Sequence, residues 1–243
     1  LGLLGGLGAC AAPSPFPQLP PMDDGAILEL LAERTAGDDE IYGELEFDYE
    51  DSQNSGSFDV IATFTPPSSM EMFAFKDLVI TQEDIFQMSF TPEGYRFSLV
   101  HGPDGDPVES SGELAGFPGK HPRFRGFFWA REAFVLPGSL DPAQLGNGGV
   151  EVRDLAATRK QITTRLSSGA SVAWVVRTDT LEVLSARITA PDGSPAGQLR
   201  YSRYFLKYGR FFPGKVVFED LPQDVRVTVY VDLVEVGEPG DEG

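Results

Sequence analysis

Side-chain alternation constrains this chain more than any other feature of it. In "VRVTVYVDLVEV", Val225, Val227, Val229, Val231 and Leu233 fall on one side of an extended backbone and mostly polar residues on the other. A period of two is the mark of a strand with one buried face. The same rhythm starts at "GELEFDYE", where Leu45, Phe47 and Tyr49 oppose Glu44, Glu46 and Asp48. It continues through "SFDVIATFT", "MEMFAF", "DIFQMSF" and "YRFSLVHG", separated by turn-forming "PPSS", "TPEG" and "GPDGD". After an interruption it resumes at "KQITTRLSS", "SVAWVVRT", "TLEVLSARITA" and "GQLRYSRYFLKYG".

Pattern counting gives roughly eleven to thirteen strands. No repeat or flexible linker divides them, so one large antiparallel sheet is expected, mainly β, in two meanders. Such a sheet accumulates twist and curls, making one face concave. Two stretches break the alternation. "DDGAILELLAERTAG" reads as a helix, with Asp23 or Asp24 as N-cap, Ile27, Leu30, Leu31 and Arg34 at helical spacing, and Gly37 as the stop. The stretch from Phe117 to Gly149 is rich in Pro, Gly and aromatics and reads as short helix and loop.

The formal charge of −18, from 37 acidic against 19 basic residues, repels phosphate backbones and argues against a nucleic-acid partner. One cysteine cannot form an internal disulfide, and with only His101 and His121 beside it a Cys/His zinc site lacks members. G-x-S-x-G, P-loop and H-E-x-x-H patterns are absent, so no catalytic residue is assigned and the protein is read as a non-enzyme. The acidic cluster from Glu44 to Asp51 reads as a solvated strand face.

The single thiol stands at position 10, behind "LGLLGGLGA". The apolar run is too short to span a bilayer. Leu7-Gly8-Ala9-Cys10 has the form of a bacterial lipobox, in which small residues precede a cysteine that receives diacylglycerol, and the Pro-rich residues 11–22 form a tether. Residues 1–10 are thus expected to be a clipped lipoprotein signal, 23–236 one domain, and 237–243 an acidic flexible tail. The acyl anchor on Cys10 would be the only prosthetic group.

One stretch inverts the prevailing charge. "GKHPRFRGFFWAR" gathers Lys120, Arg123, Arg125 and Arg131 with Phe124, Phe127, Phe128 and Trp129. It is a candidate docking patch for lipid headgroups or an acidic partner, with a core role for its aromatics as the alternative.

The order of lipobox, helix, "GSFDVIATFTPPSSMEMFAFKDLVITQEDIFQMSFTPEGYRFSLVHG", "GFFWAREAFVLPGS" and "GRFFPGKVVFEDLPQDVRVTVYVDLVEV" resembles the LolA/LolB-like outer-membrane lipoprotein family. The resemblance implies an open, unclosed antiparallel half-barrel covered by helices, with a hydrophobic cavity for acyl chains or lipoproteins. It implies an outer-membrane location facing the periplasm, supported by Ala11 after Cys10, and exchange of cargo with a periplasmic LolA-like carrier. A monomer is expected. The family's membrane-insertion loop maps onto "KDLVITQED", with Leu78 and Val79 at its apolar position, although the Pro-Leu-Gly character of that loop is replaced by Asp77-Leu78-Val79. Candidate cavity residues, chosen from the alternating strands, are Phe47, Phe64, Phe73, Phe86, Phe97, Trp174 and Val229. The competing function is a scaffold or assembly lipoprotein whose cavity is plugged by its own aromatics.

Overall fold

The computed structural model describes residues 15–35, 39–66, 69–77, 81–102, 105–128, 140, 149–166 and 169–237. Cys10, Leu78, Val79, Trp129, Arg131 and the 238–243 tail lie outside the described residues. Helix α1 spans Asp24–Thr35, and Asp23 is its cap: the Ala26 N–H donates to Asp23 Oδ1 at 2.9 Å. Its Ile27, Leu31 and Ala32 are buried.

The first meander comprises β1 (Glu40–Glu50), β2 (Ser55–Thr65), β3 (Ser69–Asp77), β4 (Gln82–Phe90), β5 (Tyr95–Leu99) and β6 (Val108–Gly112). A one-turn 3₁₀ helix (Leu114–Gly116) and α2 (Phe117–Lys120) open the insert. The return comprises β7 (Glu151–Ala156), β8 (Arg159–Arg165), β9 (Ser171–Arg177), β10 (Val183–Thr189), β11 (Pro195–Ser202), β12 (Phe205–Lys207), β13 (Arg210–Phe212), β14 (Lys215–Asp220) and β15 (Val225–Gly237).

Thirteen of these strands form one antiparallel sheet in the order β6-β5-β4-β3-β2-β1-β15-β14-β11-β10-β9-β8-β7. The chain starts at the centre, walks to the β6 edge, crosses to the β7 edge through the insert, and walks back until β15 pairs with β1. That seam runs from Glu40 opposite Gly237 to Glu50 opposite Arg226, and it makes one body of the two meanders. The two edges do not pair with each other, so the sheet is an open half-barrel. β12 and β13 leave it as a separate two-stranded hairpin.

Alternation translates into burial almost residue for residue: Leu45 and Phe47 in β1, Val60, Ala62 and Phe64 in β2, and Val172, Trp174 and Val176 in β9 are buried, and their neighbours are not. Two departures have local causes. Along β15 the shared face holds for Val225, Val227 and Val229, but the register shifts so that Leu45 faces Val231 while Glu44 faces Leu233. This bulge turns Val234 inward in place of Leu233, because one extra residue reverses the pleat beyond it. The stretch "GQLRYSRYFLKYG" is two strands, not one. It breaks at Arg203, whose φ of 58° no strand accommodates.

Candidate functional site

The buried face of the half-barrel is the surface on which a ligand site was expected. Of the seven residues predicted to line it, Phe47, Phe64, Phe86, Phe97, Trp174 and Val229 lie on that face and are buried. Phe73 does not. In β3 the inward parity belongs to Met70, Met72 and Ala74, so Phe73 is on the outer face, opposite Ile61 and Gln87 and stacked on Phe75 at 5.7 Å. The segment "MEMFAF" has apolar residues at both parities; the methionines took the core, and a one-residue choice sends every side chain to the opposite face.

The inner face is covered. In the β1–β6 half the insert lays its phenylalanines on those of the sheet. Phe117 meets Phe90 and Tyr95 edge-on at 4.9 and 5.0 Å, Phe124 meets Phe97 at 4.8 Å and Phe86 at 5.4 Å, and Phe127 stacks on Phe47 at 5.7 Å. Each buried phenylalanine contributes about 1.5–3 kcal/mol by leaving water, and edge-on pairing adds about 0.5–1.5 kcal/mol. His121 sits inside this cluster, its ring 4.5 Å from Phe97 and 5.0 Å from Phe117. Burial first, and the Lys120 charge second, push its pKa below the usual histidine value.

The basic residues of the insert divide between interior and surface. Arg125 is no free docking cation: it grips Asp220 with both arms, Nε to Oδ2 at 3.2 Å and a terminal nitrogen to Oδ1 at 3.1 Å. Asp220 is 2% exposed, and its Oδ1 also accepts the Gln223 N–H that closes the β14–β15 turn. The insert is therefore latched to the centre of the sheet by a bidentate, desolvated pair. Beside the latch, Gly126 and Gly197 flank the Phe218 ring so closely that a Cβ on either would stand 2.3 and 2.6 Å from it. Lys120 and Arg123 are exposed.

The other half of the face is aliphatic around Trp174, which is cross-strand to Ile162 and Ala186 and 6.3 Å from Tyr201. Its indole N–H is buried and donates to no acceptor among the described residues. Where the halves meet, β1, β2 and β15 enclose an apolar hollow lined by Ile41, Gly43, Leu45, Ala62, Phe64, Val231 and Val234, and roofed by Phe212 and Pro213 at the base of the β12–β13 hairpin. Its volume is about 30 Å³, room for about one water molecule. The expected open trough is thus not present among the described residues; side chains of the insert and hairpin occupy the space. A larger groove of about 590 Å³ lies on the outer face of β3–β6. It is lined mostly by polar side chains, among them Glu71, Gln87, Ser89, Arg96 and Glu109, with Phe97 the one aromatic residue.

Among the described residues, no group of three or more potential ligands gathers to hold a metal. His101 is exposed beside Glu83 at 3.6 Å, far in sequence and environment from His121.

No protein-family model matches the sequence, and no curated protein matches it. Solved structures do. The chain is similar to a LolA superfamily protein from Nitrosomonas europaea, at 9% identity and TM-score 0.54, over 86% of this chain and 91% of that one. It is similar to an outer membrane lipoprotein-sorting protein domain from Vibrio parahaemolyticus, at 10% identity and TM-score 0.53, over 90% and 94%. A DUF1329 family protein from Desulfovibrio piger superposes at 10% identity and TM-score 0.50, over 89% and 92%. The fold is LolA/LolB-like: an unclosed antiparallel half-barrel with an insert laid across its apolar face.

Proposed function

We propose that this protein handles acyl chains at a bacterial envelope membrane, held there by a lipid on Cys10, and that it takes part in lipoprotein localisation at the outer membrane without covalent catalysis. The observation that carries the reading is the apolar hollow at the β1–β15 seam, roofed by a hairpin that belongs to no other sheet. An alkyl chain entering there would displace Phe212 and Pro213 and bury against Ile41, Leu45 and Phe64, gaining about 25 cal/mol per Å². The likeness in fold to a lipoprotein-sorting domain supports the same reading.

The test is titration of the full chain with a fluorescent long-chain fatty acid, beside Gly43→Ala. A Cβ at Gly43 meets its neighbours at 3.5 Å or more, so the variant folds while a methyl group enters the hollow. Saturable binding weakened about tenfold in the variant is expected. Absence of binding would leave the scaffold reading, which the filled β1–β6 half favours; it predicts that Lys120→Glu with Arg123→Glu weakens capture of an acidic protein partner.

A further inference from the structure

A second stretch inverts the charge of this acidic chain. From Arg200 to Lys215 there are five cations (Arg200, Arg203, Lys207, Arg210, Lys215), six aromatics and no carboxylate. Two of the cations are neutralised, Arg200 by Glu219 at 3.0 Å and Arg210 by Asp39 at 2.5 Å. The other three meet aromatic rings and a carbonyl instead. Arg203 and Lys215 lie 6.0 and 5.0 Å from the Tyr230 ring, and Lys207 lies 5.1 Å from the Tyr208 ring while donating to the Val234 carbonyl.

The hairpin built on this stretch is apolar on both sides. Phe205 and Phe212 face the core, whereas Leu206 and Tyr208 are 56% and 60% exposed, the two highest values among the four exposed large hydrophobic residues described. Tyr208 and Gly209 form the tip with φ of 52° and 73°. Asn or Gly would occupy the first of these at lower cost, since a bulky side chain is strained in the left-handed region. An exposed ring held at a strained tip, beside an exposed leucine and in a stretch with three cations that meet no carboxylate among the described residues, has the composition of a membrane-interface element.

The N-terminal segment leads to the same place. Phe16 is buried against the hairpin, stacked on Phe211 at 4.2 Å and edge-on to Tyr204 at 5.0 Å. It stands six positions after Cys10, a reach of about 20 Å when extended. We infer that the β12–β13 hairpin docks on an anionic bilayer surface, Leu206 and Tyr208 entering the interface and Arg203, Lys207 and Lys215 meeting lipid phosphates. The N-terminal part of the argument rests on acylation at Cys10; the hairpin part does not.

The experiment uses the full chain carrying Cys10→Ala, so that no acyl anchor contributes, floated with vesicles of phosphatidylcholine alone or mixed equally with phosphatidylglycerol. Retention on the anionic vesicles only is expected, falling as salt is raised toward about 1 M. Arg203→Gln and Lys207→Gln should each weaken it about fivefold, and Leu206→Ser about tenfold. Tyr208→Asn, which relieves the tip, should weaken it while leaving the urea midpoint unchanged or higher. Arg123→Glu, on the insert, should leave it unchanged. No retention on anionic vesicles at low salt, retention indifferent to the hairpin variants, or loss caused by Arg123→Glu would each overturn the inference. Fatty-acid labelling of the Cys10 chain tests the anchor separately, so failure of one does not imply failure of the other.

Discussion

Two segments of this protein share a composition and have opposite fates. Residues 117–128 and 200–215 are both aromatic, basic and interrupted by glycine in a chain of charge −18. The first is turned inward: its phenylalanines fill the β1–β6 half of the face, and Arg125 spends its charge on buried Asp220. The second is turned outward at its tip, with Leu206 and Tyr208 in solvent and three cations that face no carboxylate among the described residues. The contrast teaches that a basic-aromatic run identifies a surface only after its partners are known. A crossing connection meets the core wherever it runs, whereas a hairpin that leaves the sheet has a side the core cannot cover.

The sharpest way to break the comparison is to remove the latch. Asp220→Ala leaves the Arg125 guanidinium half-desolvated and unpaired, and should lower the free energy of unfolding by about 3–5 kcal/mol in urea titration. A loss within about 0.5 kcal/mol, typical of surface charges, would mean that the insert is no more fixed than the hairpin tip.

Gly126→Ala sharpens the same point by geometry. Its methyl group would stand 2.3 Å from Phe218, itself pinched by Gly197 on the other edge, so overpacking of about 1–3 kcal/mol is expected by thermal denaturation. Unchanged stability would show that the insert can lift from β14.

The smallest effect is a pH dependence confined to the inward segment. Because burial lowers the His121 pKa below its ordinary 6.5, the unfolded chain takes up a proton that the folded chain refuses. The stability from this site is complete above that value and is lost as pH falls through the folded one. The urea midpoint should fall between about pH 7 and pH 5, and His121→Phe should flatten that part of the profile. An identical profile in the variant would assign the acid sensitivity elsewhere.

Much of the site's frame was legible. Alternation identified the strands, and the cap was narrowed to Asp23 or Asp24, of which Asp23 accepts the bond; six of the seven residues expected to line a cavity lie buried on the inner face. The misses have local reasons. Phe73 lost the inward parity to Met72 and Ala74, Leu233 lost it to a bulge, and the hairpin was hidden because "YSRYFLKYG" keeps a strand-like composition across the break at Arg203. A signal for the hairpin was present in the Tyr-Gly pair between two aromatic runs, a turn dipeptide in all but its first residue.

The sequence by itself determined which segments are strands and that one face of them is apolar, because a period of two is a local property of consecutive side chains. Only the tertiary structure decided that β1 and β15 form the seam, that the space above them is filled, and that one basic-aromatic run is core while the other meets solvent. Those outcomes depend on which distant residues arrive opposite one another, Asp220 opposite Arg125 and Phe47 opposite Phe127, and no local pattern encodes that.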